Sequence, residues 1–402
     1  MLKNRYVRTI VCSRILLQLG IWVRNFAILL YVTDVTGNDP FFVSLISIAE
    51  YAPIFIFAFI GGTFADRWLP KRTMVWCDLL SALSGLAVGL VISSGAWHAL
   101  FIAAFVSSVL SQFSQPSAMK LFKQHVEEER LQGVMAMFQS LMAIFMVIGP
   151  VLGTMVYERF GLEASLLIMA VMFMGSALVL STLPRDAKGP QSQKNGSFRE
   201  ELVAGIRYIG KNRVLRSLGF SFAVSGLAAG CIQPLTVFIP IENLGQDKSF
   251  LQWLMMANGF AMLVSGGLIM TAAKKIRPQA LLACGLLVSA LGTIGVGWSH
   301  NTALTILLQI VCGLSYPSIH IGIQTMIIRN TEAAFIGRVG GALTPIFMGM
   351  MVVGMSLSGG LKEMTSLFFL FAGSSVLFLI GALLLLPLLK KERASANTAM
   401  TR

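Results

Sequence analysis

The sequence predicts an all-α integral membrane protein, with twelve transmembrane helices in two pseudo-symmetric six-helix bundles. Three observations carry this reading. Of 402 residues, 55% are hydrophobic and 12% are charged, with a mean hydropathy of +0.76. An ordinary soluble domain carries about 25% charged residues. The apolar residues gather into twelve runs, each long enough to cross ~30 Å of hydrocarbon as a helix. Lys and Arg fall almost wholly on one side of those runs. This composition excludes a soluble enzyme, a disordered chain and a disulfide scaffold, and the end-to-end recurrence excludes a single anchor.

The first six runs fall at 9–33, 41–65, 73–94, 98–119, 134–157 and 162–183. The second six fall near 217–241, 250–273, 279–298, 302–328, 335–358 and 364–389. The first opens behind Lys3, Arg5 and Arg8 and is too long for the h-region of a cleavable signal peptide. Leu2 excludes an N-myristoyl anchor. Each later run is bounded by a charged or Gly/Pro-rich turn, and none alternates like a barrel strand. The five cysteines, Cys12, Cys77, Cys231, Cys284 and Cys312, lie in or at the ends of these runs without metal-type spacing. We read them as small lipid- or core-facing residues and expect neither a metal nor a cofactor.

Of the 31 basic residues, 26 lie on the side that holds both termini and the even-numbered loops. The opposite loops hold three, Arg159, Lys248 and Lys362, while Arg14 and Arg24 lie within the first run. The positive-inside rule then places both termini in the cytoplasm of a multi-pass protein of the cell membrane. It also accounts for the net charge of +13 without a nucleic-acid partner.

The domain plan follows from the longest hydrophilic stretch. Residues 1–184 form the first bundle, 185–216 a cytoplasmic linker, 217–389 the second bundle and 390–402 a cytoplasmic tail. The linker carries a capping-box pattern at Ser197-Phe198-Arg199-Glu200. Behind it Phe198, Leu202, Ile206 and Ile209 make an apolar stripe among Arg199, Arg207, Lys211 and Arg213. Such a helix either rests on anionic membrane lipid or serves as a connector.

The halves repeat at an offset near 200 residues. Ser114-Gln115-Pro116-Ser117 answers Ser315-Tyr316-Pro317-Ser318, and Trp97-His98 answers Trp298-Ser299-His300. Gly61-Gly62 answers Gly266-Gly267, and Gly149 answers Gly354. Parallel six-helix halves that rock about a site near the bilayer midplane are one transporter architecture.

The turn after the second run reads Gly62-Thr63-Phe64-Ala65-Asp66-Arg67-Trp68-Leu69-Pro70-Lys71-Arg72. It resembles the signature loop of the major facilitator superfamily, and with the twelve spans and the long central loop the resemblance covers the whole chain. It implies a gating role for Gly62, Asp66, Arg67, Lys71 and Arg72, a charged latch that favours one access state. Thr271 and Ala272 replace the acidic–basic pair in the second half, so the latch belongs to the first half alone. Gly149-Pro150-Val151-Leu152-Gly153 is similar to part of the glycine–proline motif of antiporter members and implies further gating positions at Gly149, Pro150 and Gly153. Together with Trp22-Val23-Arg24-Asn25, Glu50 and Pro53, these motifs look most like the drug:proton antiporter branch that includes macrolide and siderophore exporters.

Charged residues inside a span cost about 2.5–3.5 kcal/mol each on insertion scales. Arg24 and Glu50 both fall near mid-bilayer, on spans that run in opposite directions. Two readings stand: Glu50 as a carboxylate that loads and releases a proton beside Arg24, or the two as a fixed ion pair. Asp34 and Asp39 fall in the outer loop as caps, with a proton relay as the second reading for Asp34. Asp78 is expected to pair with the basic loop, and Arg14 to snorkel to the cytoplasmic interface. Among deep polar residues, Asn25, Gln115, Gln233, Asn258 and Tyr316 are placed, with Arg24, as substrate-binding candidates; interhelical hydrogen bonding is the other reading. A subset of the 27 Phe and 22 Met would supply an adaptable apolar wall.

The expected function is secondary active export of hydrophobic or amphiphilic small molecules, multidrug or macrolide-like, by proton-coupled antiport and alternating access. A dedicated exporter of a secreted metabolite such as a siderophore is the alternative, and a passive channel or membrane sensor the remote one. No Gly-x-x-x-x-Gly-Lys-Ser/Thr loop offers ATP as the energy source, and no enzyme motif is present. The sequence leaves oligomeric state open.

Overall fold

A computed structural model describes residues 4–92, 94–184, 198–272, 276–332 and 335–385, with the side chains of 58–67, 198–201 and 270–272 outside that description. Most of the described residues are helical, and the chain divides into two compact units, Met1–Asn195 and Gly196–Arg402. Unit 1 contains α1 (Arg5–Val35), α2 (Pro40–Arg67), α3 (Pro70–Ile92), α4 (Ala99–His125) and α5 (Glu128–Ser181).

At 54 residues, α5 would be ~81 Å long, more than twice the hydrocarbon thickness. It is two spans in one unbroken run. Gly161 has φ 73° and ψ −174°, a conformation open essentially to glycine alone, and the chain reverses there. The reversal is visible along α1. Gly149 and Gly153 lie against Trp22 and Phe26, and Tyr157 bonds Asp34, so the first arm climbs parallel to α1. Phe173 meets Gly20, Ser176 meets Ser13, and Thr182 meets Arg5, so the second arm descends. The sequence placed this break between 157 and 162. Replacing Gly161 with Ala is expected to cost about 1–3 kcal/mol, read as a lower Tm in detergent; an unchanged Tm would refute the strained turn.

Unit 2 contains α6 (Phe198–Lys211), α7 (Arg213–Ile232), α8 (Leu251–Ala272), α9 (Pro278–Trp298), α10 (Thr302–Asn330), α11 (Ile336–Met364) and α12 (Leu367–Leu383). Its first span is shorter than the 217–241 run. After α7 the chain winds through a 3-10 turn, Pro234–Val237, and a π-turn, Ile239–Asn243. Pro234 and Pro240 supply no N–H and cannot extend an α-helix. Tail residues 390–402 and linker residues 185–197, including the capping-box Ser197, lie outside the described residues.

Within each unit the helices pair in one pattern. In unit 1, α1 packs on both arms of α5, α3 on α4 and the second arm, and α2 on α4. In unit 2, α7 packs on α11 and α12, α9 on α10 and α12, and α8 on α10. Among the described residues, ten helices are long and apolar enough to cross a membrane; with α5 counted as two arms and the shorter α12 added, each unit holds six spans. Because lipid is as apolar as a leucine side chain, close backbone approach drives such packing. The seams show it. A Cβ on Gly153 would lie 2.6 Å from the Trp22 carbonyl, and one on Gly354 would lie 2.5 Å from that of Leu227.

The amphipathic helix α6 is part of unit 2. Gly205 abuts the Arg338 carbonyl of α11, Tyr208 stacks on Phe335 at 4.7 Å, and Ile209 enters the core. Val203, Ile206 and Arg207 face outward. Asn212 caps the N-terminus of α7 through its side-chain oxygen and donates to the Asn330 carbonyl.

Candidate functional site

The first charge group lies in unit 1 and joins the buried Arg24 to the half-buried Glu50. Arg24 is eleven residues before the end of α1 and Glu50 ten after the start of α2, about 15–16 Å in from the same end of the bundle. Arg24, 4% exposed, donates Nε and Nη2 to the Asn25 side-chain oxygen at 2.9 and 2.7 Å. Its Nη1 and the Glu50 Oε1 are both buried without a hydrogen-bond partner. The two charges interact electrostatically without closing an ion pair within 4 Å. An unmatched buried polar atom costs about 1–3 kcal/mol, so this couple is held open at a cost. Packing holds the frame around it. Ser108 of α4 donates to the Glu50 carbonyl, and Gly149 and Gly153 clamp Trp22 and Phe26 on either side of Arg24. Pro150 is buried on the same arm.

Sequence reasoning missed a second group, in which the structure corrects two expectations. Arg14 does not snorkel; it is 4% exposed and donates Nη2 to the Ser114 carbonyl at 2.9 Å and hydroxyl at 3.0 Å. Asp78 does not pair with the basic loop. It is 3% exposed and accepts the Ser176 hydroxyl at 2.6 Å. Ser176 meets Ser13 at 2.8 Å. The overlooked signal was register: Arg14 is nine residues past the start of α1 and Asp78 eight past that of α3, which run the same way.

The other candidates are more scattered. Asp34 is exposed and accepts from the Tyr157 hydroxyl at 3.3 Å, while Asp39 caps the first turn of α2 through the Phe41 N–H. Gln115 is exposed on α4. In unit 2, Asn258 of α8 donates to the Gln309 carbonyl of α10 at 3.0 Å, so its amide ties two spans. Gln233 ends α7, and Tyr316 is 55% exposed on α10. Outside the spans, the Ser249 N–H holds the Asp247 carboxyl below the ordinary carboxylate range, a capping role apart from either group.

In the signature turn, the side chains of Gly62, Asp66 and Arg67 lie outside the described residues. Lys71 donates its Nζ to the carbonyls of Ser181, at 2.8 Å, and Leu183, while Arg5 donates to that of Thr182. Two cations therefore close the carbonyl end of the second arm of α5, where the helix dipole favours them. Arg72 is exposed. Lys120 of α4 donates to the Trp68 carbonyl at 3.2 Å, and Trp68 packs on Phe113.

The Major Facilitator Superfamily model matches residues 10–242 and 218–401. The chain is 26% identical to the uncharacterized MFS-type transporter YkuC of Bacillus subtilis over 98% of this chain and 94% of that one. It is 22% identical to macrolide efflux protein A of Streptococcus pyogenes over 84% of each chain. It is likewise 22% identical to the multidrug efflux pump Tap of Mycobacterium tuberculosis over 81% of this chain and 79% of that one. Among solved structures, a POT family transporter in complex with a thioalcohol conjugated peptide superposes with a TM-score of 0.77 at 13% identity, covering 96% of both chains. The nucleoside transporter NupG superposes with a TM-score of 0.77 at 15% identity, over 95% of this chain and 100% of that one. These two show the fold alone. With a matching model over both helical units and relatives aligned almost from end to end, the chain belongs to the Major Facilitator Superfamily and is a multi-pass membrane transporter.

Proposed function

We propose that this transporter exports hydrophobic or amphiphilic small molecules across the cell membrane in exchange for protons, by alternating access. The observation that carries the proposal is similarity, over about four-fifths of the chain, to a macrolide efflux protein and to a multidrug efflux pump. The charge asymmetry of the loops supports cytoplasmic termini. Glu50 is the proton-binding carboxyl and Arg24 its counter-charge; a half-buried carboxyl beside a buried arginine, without a closed ion pair, suits a group that must gain and lose a proton. Asp34 passes protons from the outer face. Asn25, Gln115, Gln233, Asn258 and Tyr316 contribute polar contacts to substrate. Gly62, Asp66, Arg67, Lys71 and Arg72 form the latch, and Gly149, Pro150 and Gly153 set the packing that shifts between access states.

The test is transport by the reconstituted full chain. Inside-out vesicles with an acidic lumen are expected to accumulate members of a panel of cationic and amphiphilic dyes, and a protonophore should release them. Uptake that ignores the imposed pH gradient would overturn proton antiport. Movement of one compound alone from a broad panel would replace multidrug export with a dedicated substrate.

A further inference from the structure

The proton-antiport reading uses Glu50 and leaves the second buried charge group without a task. That group spans four helices: Ser13 and Arg14 on α1, Asp78 on α3, Ser114 on α4 and Ser176 on the second arm of α5. All five side chains are buried. Isolated charges in a span are expensive, and a buried pair is often replaceable by apolar residues without loss of stability. Packing alone therefore gives no reason for this one.

Unit 2 provides an internal control. The corresponding helices α7, α9, α10 and α12 are joined by hydroxyls. Ser221 donates to the Gly381 carbonyl at 3.0 Å, Ser289 meets Ser315 at 2.7 Å, and Ser375 donates to the Ala290 carbonyl at 2.7 Å. Ser315 occupies the place of Ser114 in the repeated Ser-x-Pro-Ser segment. The same junction thus closes with no charged side chain in these bonds, so ionisation in unit 1 serves something other than holding helices together.

The geometry suits protonation. Arg14 and Asp78 make no direct ion pair within 4 Å: Arg14 donates to Ser114, while Asp78 accepts from Ser176, which in turn meets Ser13. A hydroxyl both donates and accepts. When Asp78 takes up a proton, the Ser176 hydroxyl can turn from donating to accepting, and no bidentate bridge has to break first. Arg14 keeps a buried Nε without a partner. The titratable neighbours of Asp78 are Arg14 on α1 and Cys77 on its own helix; α4 and α5 offer the hydroxyls of Ser114 and Ser176. Asp78 lies about 12 Å in from the N-terminal end of α3, whereas Glu50 lies about 15 Å in from the opposite end of the bundle.

We propose that Asp78 is a second proton-carrying carboxyl of this transporter, on the cytoplasmic side of Glu50, with Arg14 as its counter-charge and the Ser176 hydroxyl as its switching partner. The step is a plain proton uptake, carboxylate to carboxylic acid, with release of the same proton to water at the cytoplasmic face. It rests on the proton-antiport reading above.

The experiment compares wild type, Asp78→Asn and Glu50→Gln as full chains in proteoliposomes, by infrared pH titration and by ethidium transport. Asp78→Asn is expected to remove one protonated-carboxyl band, distinct from the band lost in Glu50→Gln. It should also lower gradient-driven ethidium accumulation by about tenfold or more, the scale of a coupling free energy, while equal-pH exchange persists. If Asp78→Asn does not fold, the neutral pair Arg14→Gln with Asp78→Asn, which imitates the uncharged junction of unit 2, takes its place with the same expectations. An unaltered carboxyl spectrum overturns the proposal and leaves proton antiport standing. So does an equal fall in exchange and driven transport, which marks a structural role. A wild type that ignores the gradient overturns both.

Discussion

Glu50→Gln abolishes uphill export driven by a pH gradient, while dye binding stays measurable. Glutamine keeps the shape of the side chain but carries no charge and cannot exchange a proton. The site amplifies that deletion. Glu50 Oε1 has no hydrogen-bond partner and the nearest counter-charge, Arg24, is itself engaged with Asn25. The carboxyl is therefore poised between two protonation states with little structure to rearrange. We expect a loss of about a hundredfold or more in gradient-driven accumulation, the usual scale for removing an acid–base group. In wild type, acidification should weaken dye binding because proton and substrate compete; in Glu50→Gln that dependence should vanish. Undiminished driven transport would take Glu50 out of the mechanism. Losing one member of a buried pair costs about 3–5 kcal/mol, so the double change Glu50→Gln with Arg24→Gln separates misfolding from lost coupling.

Gly153→Leu removes folded protein. A Cβ at Gly153 would meet the backbone carbonyl of Trp22 at 2.6 Å and the Cβ of Phe26 at 2.9 Å. Neither is the free end of a flexible side chain, so α1 and the first arm of α5 must separate. Overpacking of this kind costs about 1–3 kcal/mol for small insertions, and leucine adds three more carbons. Gly175 on the second arm also faces α1, but its Cβ would sit 3.5 Å from the tip of Leu16. Gly175→Ala should therefore leave the melting temperature within a degree or two of wild type, on the scale of ordinary surface changes. Monodisperse elution of Gly153→Leu in detergent would refute the tight seam. The same contact links stability to transport, because the stretch from Trp22 to Phe26 carries Arg24.

Most of the architecture was legible because a bilayer leaves few choices: backbone groups must be paired within a helix, so long apolar runs become spans. The succession of apolar runs and the repeat of the halves read correctly from composition and spacing, although the run at 217–241 is α-helical only as far as Ile232. The depth of Glu50 and Arg24 was legible for the same reason, since helical rise converts residue number into distance. Arg14 and Asp78 were misread because depth alone does not fix direction. An arginine nine residues into a span reaches the interface if it faces lipid, and α1 turns this one toward Ser114 instead. Azimuth is a property of helix packing, and one sequence does not contain it. The bonds of Lys71 to the carbonyls of Ser181 and Leu183 were hidden likewise, whereas the interhelical reading of Asn258 matches its bond to the Gln309 carbonyl.

The turn at Gly161 has a mechanical result. Spans five and six meet through a single residue, so they share no slack: any lengthwise slide or tilt of one is handed directly to the other, and both are fastened along α1. An epitope or fluorophore spliced at that corner would pry the hairpin apart. Reporter tags for this transporter belong on other connections.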